Sequence, residues 1–256
     1  PTLTSTSPAD NATGVAIVSN ITLTFNEAVV AGSGNVTLFK TDNTQVEAIA
    51  VGSGQVTISG NAVTINPSEN LQSLQGYYLK VAASAFDDTN GNSFAGINNA
   101  TTLNFTAADV TNPTLSSSTP ADNATGVAVG ANIVLTFNEN IAAGSGNITL
   151  KKSSDNSTVQ AMAVGGANVS ISGTTVTINP TADLDSSQAY YLQIAATAID
   201  DTSGNSYAGI NDATTLNFIA VDNVSPTLAS TTPADNATGV VPSANIVLTF
   251  SENVQV

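Results

Sequence analysis

Carboxylate and amide oxygens spaced around a glycine, as in Asp88-Thr89-Asn90-Gly91-Asn92, are the groups of this chain best suited to chemistry. Hard oxygen donors on a tight turn fit a hard cation such as calcium, which takes six to eight oxygens in irregular geometry. The pattern returns as Asp201-Thr202-Ser203-Gly204-Asn205, and other acids return in step: Asp10 and Asp122, Glu27 and Glu139, Asp42 and Asp155, Asp87 and Asp200, Asp109 and Asp222. Duplication alone can preserve such pairs, so position is the stronger argument. Glycoside hydrolysis would need two carboxyls facing each other across a cleft. Asp87 and Asp88 are adjacent, so an extended backbone sends them to opposite sides, and there is no tryptophan to stack a sugar. Cysteine nucleophiles, imidazole or thiolate zinc sites and Ser-His-Asp triads lack their residues, because the chain has no cysteine and no histidine. The expected role is non-catalytic.

Four lysines oppose nineteen acids, for a formal charge of −15. Nucleic acid and anionic lipid would be repelled, and cations are the favoured partners. The Thr/Asn/Ser/Ala/Gly-rich, base-poor composition fits a secreted bacterial chain, extracellular or at the cell surface. With no signal peptide or membrane-spanning stretch in view, the sequence reads as a piece of a longer secreted protein, without membrane insertion.

The elements that must position these acids are set by a long repeat. PADNATGV stands at 8–15, 120–127 and 233–240. This period is too long for solenoid repeats of about 20–50 residues. The expected division is therefore 1–112, 113–225 and a truncated 226–256. Within 20–25, Ile21, Leu23 and Phe25 alternate with Thr22 and Thr24, the signature of a half-buried strand. Val36/Leu38, Val56/Ile58, Val63/Ile65, Tyr77/Leu79/Val81 and Leu103/Phe105 continue the pattern, and Ser59-Gly60-Asn61-Ala62 reads as a tight hairpin. About seven short strands per unit predict an all-β sandwich. Tyr77 and Tyr190, each six residues after a leucine, have the setting of a tyrosine corner, in which the phenol bonds to upstream backbone; plain core filling is the alternative.

Pro8-Ala9-Asp10, the TLTFNEAV strand end, the late Tyr-Tyr-Leu strand and the Asp88–Asn92 turn together resemble the bacterial Ig-like repeats of S-layer proteins and giant calcium-dependent surface adhesins. The resemblance spans each whole unit. It implies tandem Ig-like sandwiches serving as spacer, lattice element or binding module. In such a sandwich the loop carrying Glu27 and the loop carrying Asp87, Asp88, Asn90 and Asn92 lie at the end where the preceding linker enters. The linker Asp109–Asn112 would then meet Glu139, Asp200, Asp201 and Asn205, and Asp222 would meet Glu252. Calcium at these junctions is the expected structural cofactor, and the proline-ended linker loosely resembles those of cadherins. The competing reading makes Asp88–Asn92 a metal-free turn in which Asp and Asn bond backbone amides. Asp10 is expected to fasten its own turn.

The segment 226–256 supplies only the first two strands of a sandwich, too few to bury a core. It reads as a window onto a longer fibre, with completion by strand addition from another chain as the alternative. The functional expectation is a structural extender or lattice segment whose partners are further copies of the repeat. Rival readings are an adhesive module that binds glycan or protein through its end loops, and an accessory module of a large extracellular enzyme.

Overall fold

The structure, a computed structural model, describes residues 1–255. It separates into two compact units, Pro1–Thr111 and Asn112–Val256.

The first unit contains β1 (Leu3–Ser7), β2 (Ala12–Val15), β3 (Ile21–Phe25), β4 (Val29–Ala31), β5 (Asn35–Lys40), β6 (Gln45–Ala50), β7 (Val56–Ser59), β8 (Ala62–Ile65), β9 (Gly76–Val81), β10 (Phe86–Asp88) and β11 (Asn104–Ala107). A four-stranded sheet runs β1-β3-β8-β7, a five-stranded sheet runs β2-β11-β9-β5-β6, and β10 pairs with β4 alone. The alternation in β3 is realised as read: Ile21, Leu23 and Phe25 are at most 1% exposed, while Thr22 and Thr24 are half-buried. They meet Val63 and Ile65 of the same sheet, and Val36, Leu38, Leu79 and Phe105 of the other, in one apolar core. The hairpin forms between β7 and β8, with Gly60 at φ +60°, which glycine adopts without a Cβ penalty.

Eleven strands stand where alternation predicted about seven. The additional four, β2, β4, β6 and β10, are three to six residues long and alternate weakly. β2 is held in parallel to β11 by its neighbours: Asn11 N–H donates to Asn104 C=O at 2.7 Å, and Asp10 Oδ1 accepts from Asn104 N–H and Nδ2 at 3.0 and 2.9 Å. This pairing explains the repeated PADNATGV string. Asn11, Asn123 and Asn236 all take φ near +60°, a left-handed conformation that Asn tolerates better than most residues. Asp10, and Asp122 on Asn217 in the second unit, thus fasten this turn.

The second unit repeats the plan in β12 (Leu115–Thr119), β13 (Ala124–Val127), β14 (Ile133–Phe137), β15 (Ile141–Ala143), β16 (Asn147–Lys152), β17 (Thr158–Ala163), β18 (Val169–Ser172), β19 (Thr175–Ile178), β20 (Ala189–Ile194), β21 (Ile199–Asp201) and β22 (Asn217–Ala220). Both tyrosine corners form. Tyr77 Oη accepts from Gln72 N–H at 2.8 Å, and Tyr190 Oη from Asp185 N–H at 2.7 Å.

Beyond β22, among the described residues, lie only β23 (Leu228–Thr232) and β24 (Val247–Phe250), paired in the register of β1 with β3. Their apolar face is uncovered. Ile246 is 77% and Leu248 51% exposed, against 1% and 0% for their counterparts Ile21 and Leu23.

Candidate metal centre

The short β4–β10 pair brings the predicted loops together in the first unit. Asp88 lies opposite Val29, two residues after Glu27, so Glu27 and Asp88 sit at the same end of this ribbon. The sequence reading placed Asp87 and Asp88 in a loop; they instead close strand β10, and the turn begins at Thr89. Strand geometry then separates the two acids. Asp87 accepts the Ser93 hydroxyl at 2.5 Å and lies over Gly32, where an added Cβ would come within 2.8 Å of its Oδ2 and 2.2 Å of Ser84 C=O. Asp200 repeats the arrangement with Ser206 at 2.6 Å and with Gly144.

Asp88 faces the turn and is buried. Its Oδ1 accepts from Asn90 N–H and Asn92 N–H, each at 2.8 Å, and its Oδ2 accepts from Asn92 Nδ2 at 2.7 Å. These bonds, that from the Asn92 side chain first, hold its carboxyl below the usual range. Asp201, 2% exposed, is bonded alike by Ser203 N–H, Asn205 N–H and Asn205 Nδ2. The amides of Asn92 and Asn205 therefore turn their nitrogens to the acid. Asn90 is exposed.

In the second unit Glu139 and Asp201 place carboxylate oxygens within 4.8 Å of each other.

The linker acids are set by serines that sequence reading missed. Asp109 Oδ1 accepts from Ser73 Oγ at 2.9 Å and from Thr111 N–H and Oγ1 at 3.1 and 2.7 Å. Asp222 Oδ1 accepts from Ser186 Oγ at 3.0 Å and Val224 N–H at 3.1 Å. Ser73 and Ser186 recur in step with Asp109 and Asp222, a signal the sequence did carry. Asn112 is exposed just after the linker acid.

Asp222 also meets Glu252, the counterpart of Glu27 and Glu139 in the third repeat. The backbone N–H of Val224 and the Ser186 hydroxyl lower the Asp222 carboxyl, with Glu252 a lesser contributor. Burial first, then the Asp222 charge, raises Glu252. Glu252 Oε1 is buried and makes no hydrogen bond among the described residues. A buried carboxylate oxygen without a donor is costly. A proton shared with the Asp222 carboxyl, or a hard cation held by both acids, would satisfy it.

A sugar-stacking surface built from tyrosine is not found. Tyr77, Tyr78, Tyr190, Tyr191 and Tyr207 are all buried, Tyr207 being the most exposed at 8%. Among the described residues, no helix is long and apolar enough to cross a membrane.

The sequence profile of a family described as bacterial Ig-like domain matches residues 1–107, 109–219 and 222–256. No curated protein matches the chain. Among solved structures, the chain is similar to the I67–I69 fragment of the titin I-band, at 10% identity and a TM-score of 0.38, covering 87% of this chain and 66% of that one. It is also similar to the N-terminal part of the bacterial S-layer protein SbsC, at 14% identity and a TM-score of 0.30, covering 82% and 44%. A biofilm-associated protein BSP domain gives 13% identity and a TM-score of 0.21, covering 84% and 29%. The chain thus spans two thirds or less of the length of each.

Proposed function

The chain belongs to the bacterial Ig-like domain family, and from that premise we propose that it is a non-catalytic extender or lattice segment of a secreted or cell-surface bacterial protein, stiffened by calcium where one repeat follows another. Its partners are further copies of the repeat. The sandwich gives reach, because each of the two full repeats closes its own core and passes the chain on through a short linker. The acids supply the hinge control.

One observation carries the calcium reading: Glu252 Oε1 is buried with no hydrogen bond among the described residues, on a side chain that packs against the Asp222 carboxyl at the start of the third repeat. Asp222 and Glu252 are the ligands assigned there. Asp109 and Glu139 stand at the same register positions one repeat earlier, and Asp201, Asp88 and Glu27 supply further carboxylates at the loop ends. Asn90, Asn112 and Asn205 are auxiliary oxygens, although Asn205 now presents its nitrogen to Asp201. Asp87 and Asp200 are engaged by serine hydroxyls and are the weakest candidates of the set. Calcium would supply charge neutralisation alone.

The test is a calorimetric calcium titration of the whole chain and of Asp222→Asn/Glu252→Gln. Binding by the parent that loses one site in the variant supports the proposal; absence of binding by the parent refutes the calcium part and leaves the structural role standing. The adhesive reading requires a single repeat to bind glycan by itself, and the burial of all five tyrosines counts against it.

A further inference from the structure

We infer that Asn90 is a site of spontaneous covalent modification, at which the folded chain converts an exposed amide into a carboxylate. Asn90-Gly91 is the one Asn-Gly pair in the sequence. Glycine lacks the Cβ that would obstruct approach of its backbone nitrogen to the preceding side chain. The surroundings are open: both residues are exposed, and a Cβ at Gly91 would meet nothing within 4 Å.

The chemistry needs only water. Gly91 N loses its proton to solvent base and attacks Asn90 Cγ; the new C–N bond closes a five-membered imide as ammonia leaves. Water then opens either C–N bond of the imide, giving aspartate or, through the other carbonyl, isoaspartate. No electron transfer is involved. One ammonia departs and one water is consumed.

Neighbouring groups decide why this residue and not another. Asn92 and Asn205 each precede a serine, but their side-chain nitrogens donate to Asp88 and Asp201 at 2.7 Å, which holds their amides away from the following backbone. The second repeat has Ser203-Gly204 at the corresponding turn and so cannot react. Against the reaction stands the turn bond from Gly91 N–H to Asp88 C=O at 3.1 Å, which must open before attack. It closes a four-residue turn in which residues 89–91 are exposed, so its opening is local and does not require unfolding of the sandwich.

The product changes the loop. Aspartate adds a charge two residues from Asp88, whereas isoaspartate inserts a backbone carbon between Asn90 N–H and Asn92 N–H, which both converge on Asp88 Oδ1. The first repeat thereby diverges from the second with age, whether or not calcium binds.

The experiment is incubation of the native chain in mildly alkaline buffer, with peptide mapping by mass spectrometry and isoelectric focusing over time. Expected is a species one unit more negative than −15, with conversion and isoaspartate located first at Asn90 and faster as pH rises. Asn90→Ser, which copies the second repeat, should abolish this species while leaving the melting temperature in chelator unchanged. Conversion appearing first at any other asparagine would overturn the inference. So would an intact Asn90 in the folded chain under conditions that convert the isolated 85–95 peptide, since the turn bonds would then protect it.

Discussion

Replacing Asp201 with alanine should destabilise the second repeat whether or not calcium is present. The carboxylate is 2% exposed and accepts three bonds, from Ser203 N–H, Asn205 N–H and Asn205 Nδ2, at 2.7 to 2.8 Å. Hydrogen bonds to charged groups contribute about 1.5–3 kcal/mol each, so three set an upper bound of roughly 4.5–9 kcal/mol. The turn itself lies open, with Ser203 and Gly204 exposed, and water recovers part of that loss. An expected cost of about 3 kcal/mol follows, near that of other broken buried networks. For a domain of this size it lowers the melting temperature by about 10 °C. Thermal unfolding followed by circular dichroism, in calcium and in chelator, measures it. A loss is expected in both media, and a larger one in calcium, where the carboxylate's contribution to cation binding is lost as well. A loss confined to calcium would show that Asp201 acts only through metal, and a loss below about 0.5 kcal/mol in both would refute the structural role altogether.

Two further perturbations follow from the same structure. Leu135→Ala removes a side chain that is 0% exposed and should cost about 2–5 kcal/mol, whereas its third-repeat counterpart Leu248, 51% exposed, should tolerate alanine with under about 0.5 kcal/mol of change in chemical denaturation. Asp212 accepts from Thr214 and Thr215 backbone and hydroxyl groups, which depress its carboxyl to about 2, while Asn99 fills this place in the first repeat without titrating. A carboxyl lowered on folding stabilises above its ordinary value of about 3.9, and this contribution is lost as pH falls toward about 2. Acid should therefore loosen the 212–215 loop and not the 99–102 loop, a difference that residue-specific NMR would detect and Asp212→Asn would erase.

The strands that alternate were legible because one face of each meets the core. β3, β5 and β9 place Ile21, Leu38 and Leu79 inward at every second position, and burial leaves little freedom in that choice. The tyrosine corners were legible for a similar reason, since a buried phenol needs a partner and upstream backbone supplies it. β4 and β10 were not. Each is three residues long, and their pairing depends on Gly32 allowing Asp87 and the Ser84 carbonyl to approach, a contact local pattern does not encode. The division of labour between adjacent acids was likewise only half visible. Alternation showed that Asp87 and Asp88 must face apart, but Ser93 as the partner of one and the Asn90–Asn92 backbone as the partner of the other required the fold. Ser73 and Ser186, which fix Asp109 and Asp222, sit 36 residues before them in sequence and are joined only by the sandwich.

The measurement that bears most directly on the account is the melting temperature of the whole chain in saturating calcium and in chelator, with small-angle scattering on the same samples. Binding confined to the native state adds about 2.7 kcal/mol at a hundredfold excess over the dissociation constant. A higher melting temperature and a stiffer scattering profile are expected in calcium, both diminished by Asp222→Asn/Glu252→Gln. Identical melts and identical scattering in the two media would contradict it.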